Sequence, residues 1–132
     1  MNTIEVVAAI IVHGGRLFAT QRGYGDQRGL WEFPGGKIES GESREQALKR
    51  EILEELDMQI AVDSFFQTVE WDYPTFHLVM HCFLCSKVGN VIRMKEHADS
   101  RWLLPSELDS VEWLPADIFI HITSTFFIIC PS

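Results

Sequence analysis

Residues 36–56 read GKIESGESREQALKREILEEL, and a helix can be drawn from them at once. From Arg44 to Leu56 there is no Gly or Pro, and Ile52 is the only β-branched residue. Ala, Leu, Glu, Lys, Gln and Arg are good helix formers. Ser43 followed three residues later by Gln46 has capping-box spacing, which predicts Ser43 as N-cap. Leu48, Ile52 and Leu56 step by four along one face and can pack on a core. Glu51, Glu54 and Glu55, at i, i+3 and i+4, share another face a single turn tall. Like charges so spaced destabilise a bare helix by roughly 0.2–0.5 kcal/mol per pair, so the pattern points to cations held between them. Hard, oxygen-liking Mg²⁺ or Mn²⁺ would reverse the penalty. Arg50, beside Glu51 and four residues before Glu54, is placed to orient carboxylates. Upstream, Phe33-Pro34-Gly35-Gly36 predicts a turn in which glycine lets backbone approach a ligand or offer a carbonyl to a metal.

Working outward, the element types alternate. Ile4–His13 is β-branched and almost wholly apolar, a buried strand, and Gly14-Gly15 turns it into a second strand, Arg16–Arg22. The glycines and charges of residues 23–29 predict a loop. After the helix, Ala61–Asp72 and Phe76–Val88 read as strands joined at Tyr73-Pro74-Thr75. Arg101–Leu104 is short and strand-like, Pro105–Leu108 begins a helical turn, and a second main helix is expected from Ala116 onward. Its apolar stretch, Ile118 to Cys130, is interrupted by His121, Thr123, Ser124 and Thr125, and a membrane span needs about 20 residues. Helices on both faces of a mixed sheet would bury these patterns, so the expected fold is an α/β/α sandwich forming one domain over residues 1–132.

Eleven basic against nineteen acidic residues give a net charge of −8. That balance argues against polymeric nucleic acid as partner, yet an acidic chain can bind a triphosphate if metals bring the positive charge. Cys82, Cys85 and Cys130 are an odd number without a signal peptide, which suggests a reducing cytoplasm. Cys82-x-x-Cys85 lacks a second ligand pair, and on a strand its two side chains would face opposite ways, so buried thiols are expected rather than zinc.

The pattern Gly36, five residues, Glu42, seven residues, Arg50-Glu51-Ile52-Leu53-Glu54-Glu55-Leu56 resembles the Nudix box of hydrolases that act on nucleoside-diphosphate linkages. One position departs: Asp57 stands where the family usually has the Gly that ends the helix in the left-handed conformation. The likeness extends over nearly the whole chain toward the small MutT-type branch, bacterial CTP pyrophosphohydrolases in particular. Residues 4–12, Leu30-Trp31-Glu32-Phe33-Pro34-Gly35-Gly36, Glu96, Trp102 and Leu114-Pro115-Ala116-Asp117 all have counterparts there.

The resemblance implies the Nudix fold, the same layered arrangement, and a metal-assisted cleavage of a phosphoric anhydride. Glu51, Glu54 and Glu55 would be metal ligands, with the Gly35 carbonyl and Glu96 as further ones. Glu51 and Glu96 are both candidates for the general base. Glu42 and Arg50 would brace loop and helix, Arg50 completing the catalytic set. Arg22 and Lys37 are implied phosphate contacts. Asp117 stands where such enzymes place an Asn or Asp that bonds the base, although it could equally cap the final helix. As a carboxylate it would suit the exocyclic amine of cytosine, or the amino and N1–H edge of guanine. Tyr73 and Phe76 flank a turn where MutT offers an aromatic ring and an arginine; Phe76 replaces that arginine and leaves stacking. Phe33 and Trp31 could line the same pocket.

The expectation is therefore a Mg²⁺-dependent nucleoside triphosphate pyrophosphohydrolase, cytoplasmic and monomeric or homodimeric. It would cleave CTP, dCTP or a modified pyrimidine relative to the monophosphate and pyrophosphate. The alternatives are an 8-oxo-dGTP diphosphatase and a non-catalytic nucleotide sensor.

Overall fold

A computed structural model describes residues 2–89, 97–118 and 120 of the 132-residue chain. Seven strands among them form one mixed sheet. They are β1 (Asn2–His13), β2 (Arg16–Arg22), β3 (Trp31–Glu32), β4 (Gly35–Lys37), β5 (Gln59–Tyr73), β6 (Phe76–Val88) and β7 (His97–Leu103). The helical elements are α1 (Arg44–Leu56), a 3₁₀ turn over Pro105–Ser110 and α2 (Pro115–Ile118).

The central strand β1 runs parallel to β6 from Asn2 to Val12. Its other edge is shared: Val6–Ala8 pair antiparallel with β4, and Val12–His13 with β2 through the glycine turn. β2 in turn carries β3 and β7. The β5–β6 hairpin turns at Pro74-Thr75 and holds two bulges on the β5 side, between Val62 and Ser64 and between Phe65 and Gln67. Pro74 costs no ladder bond there, because a turn residue needs no inward N–H.

Alternation along β1 divides the interior into two cores. Val7, Ala9 and Ile11 point to α1, where Ala47, Leu48, Ile52 and Leu56 are buried against them. Ala8 and Ile10 point the other way, to Trp31, Phe33, Met80, Leu108, Ala116 and Ile120. Each large apolar side chain so buried contributes roughly 1.5–3 kcal/mol, and Ile52→Ala would open a cavity in the first core. Cys82 lies in one core and Cys85 in the other, and burial pushes both thiols up to about 12. Opposite faces and inert thiols agree with the reading of buried cysteines.

Helix α1 begins as its capping box predicts. The Gln46 amide donates to Ser43 Oγ at 3.1 Å and the Ser43 amide to Gln46 Oε1 at 2.9 Å. It ends at Asp57, which sits in the left-handed region at φ 53°, ψ 32°, and whose N–H reaches the Leu53 carbonyl at 2.9 Å. Residues 33–36 differ from the expected turn. Gly35–Lys37 are strand β4, laid against β1 so closely that a Cβ on Gly35 would stand 1.9 Å from the Val7 carbonyl oxygen. Lack of a side chain thus serves strand packing as well as ligand approach. The second helix starts one residue earlier than expected, at Pro115, and is described to Ile118. Of its expected continuation Ile120 is described, buried and outside the helix; the rest, with Cys130, and Glu96 lie outside the described residues. Among the described residues no helix is long and apolar enough to cross a membrane.

Candidate active site

Strand β4 and helix α1 meet around the guanidinium of Arg50. Its Nε and Nη2 donate to the two oxygens of Glu42 at 2.6 and 2.8 Å, and Nη2 also reaches the Lys37 carbonyl at 3.0 Å. Nη1 donates to Glu51 at 2.9 Å and Glu54 at 3.4 Å, with Glu39 at 3.6 Å. One cation therefore faces four carboxylates, and the cluster is short of positive charge. Glu42 is held below the usual carboxylate range, chiefly by its Arg50 bonds. Glu51 moves the other way: partial burial raises it, although Arg50 pulls it down.

The backbone makes room for Glu51. A Cβ on Gly36 would meet its carboxyl carbon at 2.4 Å, so only glycine lets that carboxylate lie against β4. Glu51 and Glu55 line one cleft with Gly35, Gly36, Lys37, Glu39 and Arg22, enclosing about 540 Å³. Glu54, with 58% of its side chain exposed, stands at the rim of the Arg50 cluster. Among the described residues no three acidic, His or Cys side chains are already gathered as a metal cage. The donors still suit a hard divalent cation. They are oxygens in a cleft of excess negative charge, and Mg²⁺ commonly takes only one or two carboxylates, completing its shell with water and substrate phosphate.

A second cavity of about 530 Å³ adjoins the first and shares Val6, Arg22, Tyr24, Glu32, Gly35 and Gly36 with it. Arg22, at the end of β2, is clasped by Glu32 across the β2–β3 pair through bonds of 2.8 and 3.0 Å. The exposed Tyr24 ring lies 6.0 Å from the same guanidinium. Phe33 is buried and stacks on Trp113 at 4.8 Å between ring centroids. Tyr73 and Phe76, the last pair of the hairpin, stack on each other at 5.0 Å and line the cavity. Trp31 packs in the core and lies under the Arg101 guanidinium, so of the two aromatic residues preceding Pro34 only Phe33 reaches the cavity.

Asp117 closes the inner end. It is 5% exposed, and its Oδ2 accepts the Phe33 N–H at 2.8 Å. It therefore does not cap α2, since it lies inside the first turn and its bond crosses to another element. Burial raises its carboxyl to about 8, with the Phe33 amide bond and the Arg22 charge opposing it. Tyr73 is tied to the same corner, its hydroxyl accepting the Ala116 N–H at 3.3 Å.

The architecture and both clefts now bear comparison with known proteins. The NUDIX domain family matches residues 1–122. The chain belongs to the Nudix family. This Nudix chain is 37% identical over 119 residues to the CTP pyrophosphohydrolase of Escherichia coli K12, covering 89% of this chain and 88% of that protein. A putative 8-oxo-dGTP diphosphatase of Mycobacterium tuberculosis is 33% identical over 114 residues, 85% of this chain and 81% of that one. The solution structure of the Escherichia coli ORF135 protein superposes with a TM-score of 0.83 at 34% identity, covering 97% of this chain and 92% of that one. The Nudix chain is a hydrolase of phosphoric anhydride bonds, from a family that acts on nucleotides and generally needs divalent metal ions.

Of the residues singled out in the sequence, Glu51, Glu55, Lys37, Gly35 and Arg22 share the first cleft; Arg22, Gly35, Phe33, Tyr73, Phe76 and Asp117 share the second. Glu54 and Arg50 flank the first. Sequence reading missed Glu32 as Arg22's partner and Trp113 as Phe33's. Glu32 lies on a two-residue strand with no periodicity to detect, so its pairing with β2 left no sequence signal.

Proposed function

We propose that this Nudix hydrolase is a Mg²⁺-dependent pyrophosphohydrolase of CTP, dCTP or a modified pyrimidine nucleotide, releasing the monophosphate and pyrophosphate. One observation carries the reading: an acidic, glycine-floored cleft opens directly into an aromatic-walled cavity, with Arg22 and Glu32 at the junction. A triphosphate spanning that junction would have its phosphates beside Glu51, Glu55 and the Gly35 carbonyl, and its base between Phe33, Tyr73, Phe76 and Asp117. The likeness to the E. coli CTP pyrophosphohydrolase supports the choice of base.

Glu51, Glu54, Glu55 and the Gly35 carbonyl, with Glu96, would hold the divalent ions, which when bound neutralise phosphate oxygens and lower the pKa of an attacking water. Arg50 keeps Glu51 oriented and Glu42 ties the loop to the helix, so the carboxylates need not reorganise during reaction. Of the two candidate bases, Glu51 lies among the described residues, and partial burial raises its affinity for a proton. Arg22 and Lys37 contribute positive charge to the phosphate chain.

A second reading, hydrolysis of 8-oxo-dGTP, is supported by the M. tuberculosis relative and by the acceptor oxygens of Asp117. The separating experiment is Mg²⁺-dependent pyrophosphate release across CTP, dCTP, 5-methyl-dCTP, dGTP, 8-oxo-dGTP and ADP-ribose. Preference for cytosine nucleotides is expected, and preference for 8-oxo-dGTP would overturn it. Phosphorus NMR showing orthophosphate and CDP would instead overturn the position of cleavage.

A further inference from the structure

The tip of the β5–β6 hairpin is built in two layers. On the cavity side Tyr73 and Phe76 form its last pair, stack on each other and line the wall. Side chains alternate between faces along a strand, so Asp72 and His77, the next pair back, lie on the face that carries α1. There the His77 ring sits between two carboxylates of the facing strand, with Nδ1 2.6 Å from Asp72 Oδ1 and Nε2 2.9 Å from Glu70 Oε1. An imidazole that donates at both nitrogens carries two protons, whereas the neutral ring donates at one and presents a lone pair at the other. Both contacts are therefore bonds only while His77 is charged. The two carboxylates hold its pKa above the ordinary histidine value, Glu70 most and Asp72 next. From β1, Thr3 pairs with His77, and Glu5 lies two residues on, bonded to His81 of β6 and near the Arg44 charge of α1.

We propose that His77 is a positioning residue for the nucleotide: its charged ring, clasped between Glu70 and Asp72, holds the end of β5 so that Tyr73 and Phe76 keep their place in the cavity wall. Among the described residues β5 is the last strand of the sheet, paired with β6, and the end of such a strand opens more readily than the core. Tyr73 is its final residue, and the Tyr73 hydroxyl accepts the Ala116 N–H at 3.3 Å. Movement of the strand end therefore moves both the aromatic wall and its tie to α2. The inference rests on the nucleotide pyrophosphohydrolase reading and deepens it, adding a control on binding that touches neither substrate nor metal. When the ring loses its proton, the fraction of chains with a formed wall falls, and apparent affinity falls in the same ratio. Both carboxylates are exposed, so water screens the contacts and the effect on KM is modest, roughly twofold to tenfold. The reacting phosphates would lie in the acidic cleft built on β4 and α1, so kcat should not follow.

The test is KM and kcat for CTP with Mg²⁺ on the whole chain, from about pH 5.5 to about pH 8.5. Each constant is taken as a ratio to the same constant in His77→Arg. Arginine keeps a cation with several donors beside the two carboxylates at every pH, and effects on metal and phosphates cancel in the ratio. The KM ratio should start near unity and rise roughly twofold to tenfold as His77 loses its proton, while the kcat ratio stays flat. His77→Gln, neutral throughout, should show the raised KM at every pH. A flat KM ratio overturns the proposal, as does a change carried by kcat instead. A second measurement needs no turnover. In the nucleotide-free chain, NMR should show the Tyr73 and Phe76 ring signals shifting with the same midpoint as His77, and Glu70→Gln combined with Asp72→Asn should lower that midpoint. Ring signals that stay fixed while His77 titrates overturn the proposal even if CTP is cleaved. An unmoved midpoint in the double variant overturns the clasp. If the wild type cleaves CTP at no pH, the cytosine-nucleotide reading fails separately, and the ring signals still decide whether His77 holds the wall.

Discussion

Gly36 shows how much of the site depends on an atom that is missing. Its Cβ would stand 2.4 Å from the Glu51 carboxyl, closer than real contacts allow. Gly36→Ala should displace that carboxylate while leaving β4 paired, and we expect kcat to fall about 10²-fold or more with little change in Tm. Retained activity would mean that Glu51 can work from another rotamer. Gly35→Ala makes a contrasting prediction, because its Cβ would strike the Val7 carbonyl oxygen at 1.9 Å, which is backbone and cannot swing away. There we expect a stability loss of about 1–3 kcal/mol, read as a lower denaturation midpoint. Glu51→Gln tests the charge itself. It keeps shape, removes one negative charge from the cluster around Arg50, and should cost about 10²–10⁴ in kcat while raising the Mg²⁺ concentration needed. An unchanged Mg²⁺ requirement would take Glu51 out of the ligand set. The carboxylates were legible from spacing because i, i+3 and i+4 leave no freedom on a helix. The Glu32 clasp on Arg22 was not, because it depends on strand pairing that the local sequence does not encode.

At the level of the element, α1 shows local signals agreeing with the fold. Capping box, apolar stripe and end point all lie where the sequence puts them, from Ser43 to Asp57. The end is the departure from the family pattern, and its physical cost can be isolated. Asp57 occupies the left-handed region at φ 53°, where a Cβ is unfavourable and glycine is not. Asp57→Gly and Asp57→Ala both delete the carboxylate and whatever it touches, so their difference reports the strain of the left-handed conformation, net of glycine's greater freedom in the unfolded chain. Glycine should be the more stable of the two by about 1 kcal/mol, or roughly 3–5 °C in Tm. Equal stabilities would show that the helix end relaxes out of that conformation when the side chain changes. The long strands were equally legible: β1 carries a β-branched run ending at Gly14-Gly15, Gly15 and Gly23 bound β2, and Pro74 divides the apolar stretches of β5 and β6. The short β3 and β4 were not: residues 33–36 look like a turn by composition, and become strand only because β1 offers an open edge beside them. The order of strands follows from pairings such as Asn2 with Phe76, far apart in the chain, and no window of sequence reports those.

Across the whole molecule the sheet separates two cores, and the second holds a polar exception, Asp117, whose effect on stability has a definite sign. Its carboxyl ionises near 8 when folded, against about 3.9 in an unfolded chain. Between those values the folded state keeps a proton that the unfolded state has released, so stability falls as pH rises from about 4 to about 8 and levels off above. The slope is at most about 1.4 kcal/mol per pH unit. His77 works in the same direction, since its bonds to Glu70 and Asp72 raise it and its contribution fades as pH rises through the raised value. Glu5 and Glu42, lowered by His81 and Arg50, work in the opposite sense and lose their contribution on acidification. Asp117→Asn separates the first effect from the others. Its amide oxygen can still accept the Phe33 N–H, and it has no proton to lose. The variant's advantage in Tm over the wild type should therefore widen between about pH 5 and about pH 8, by several degrees, and then stay constant. A gap that does not vary with pH would mean that the buried carboxyl ionises as readily in the fold as outside it. In that case Arg22 would have to be stabilising it despite Glu32.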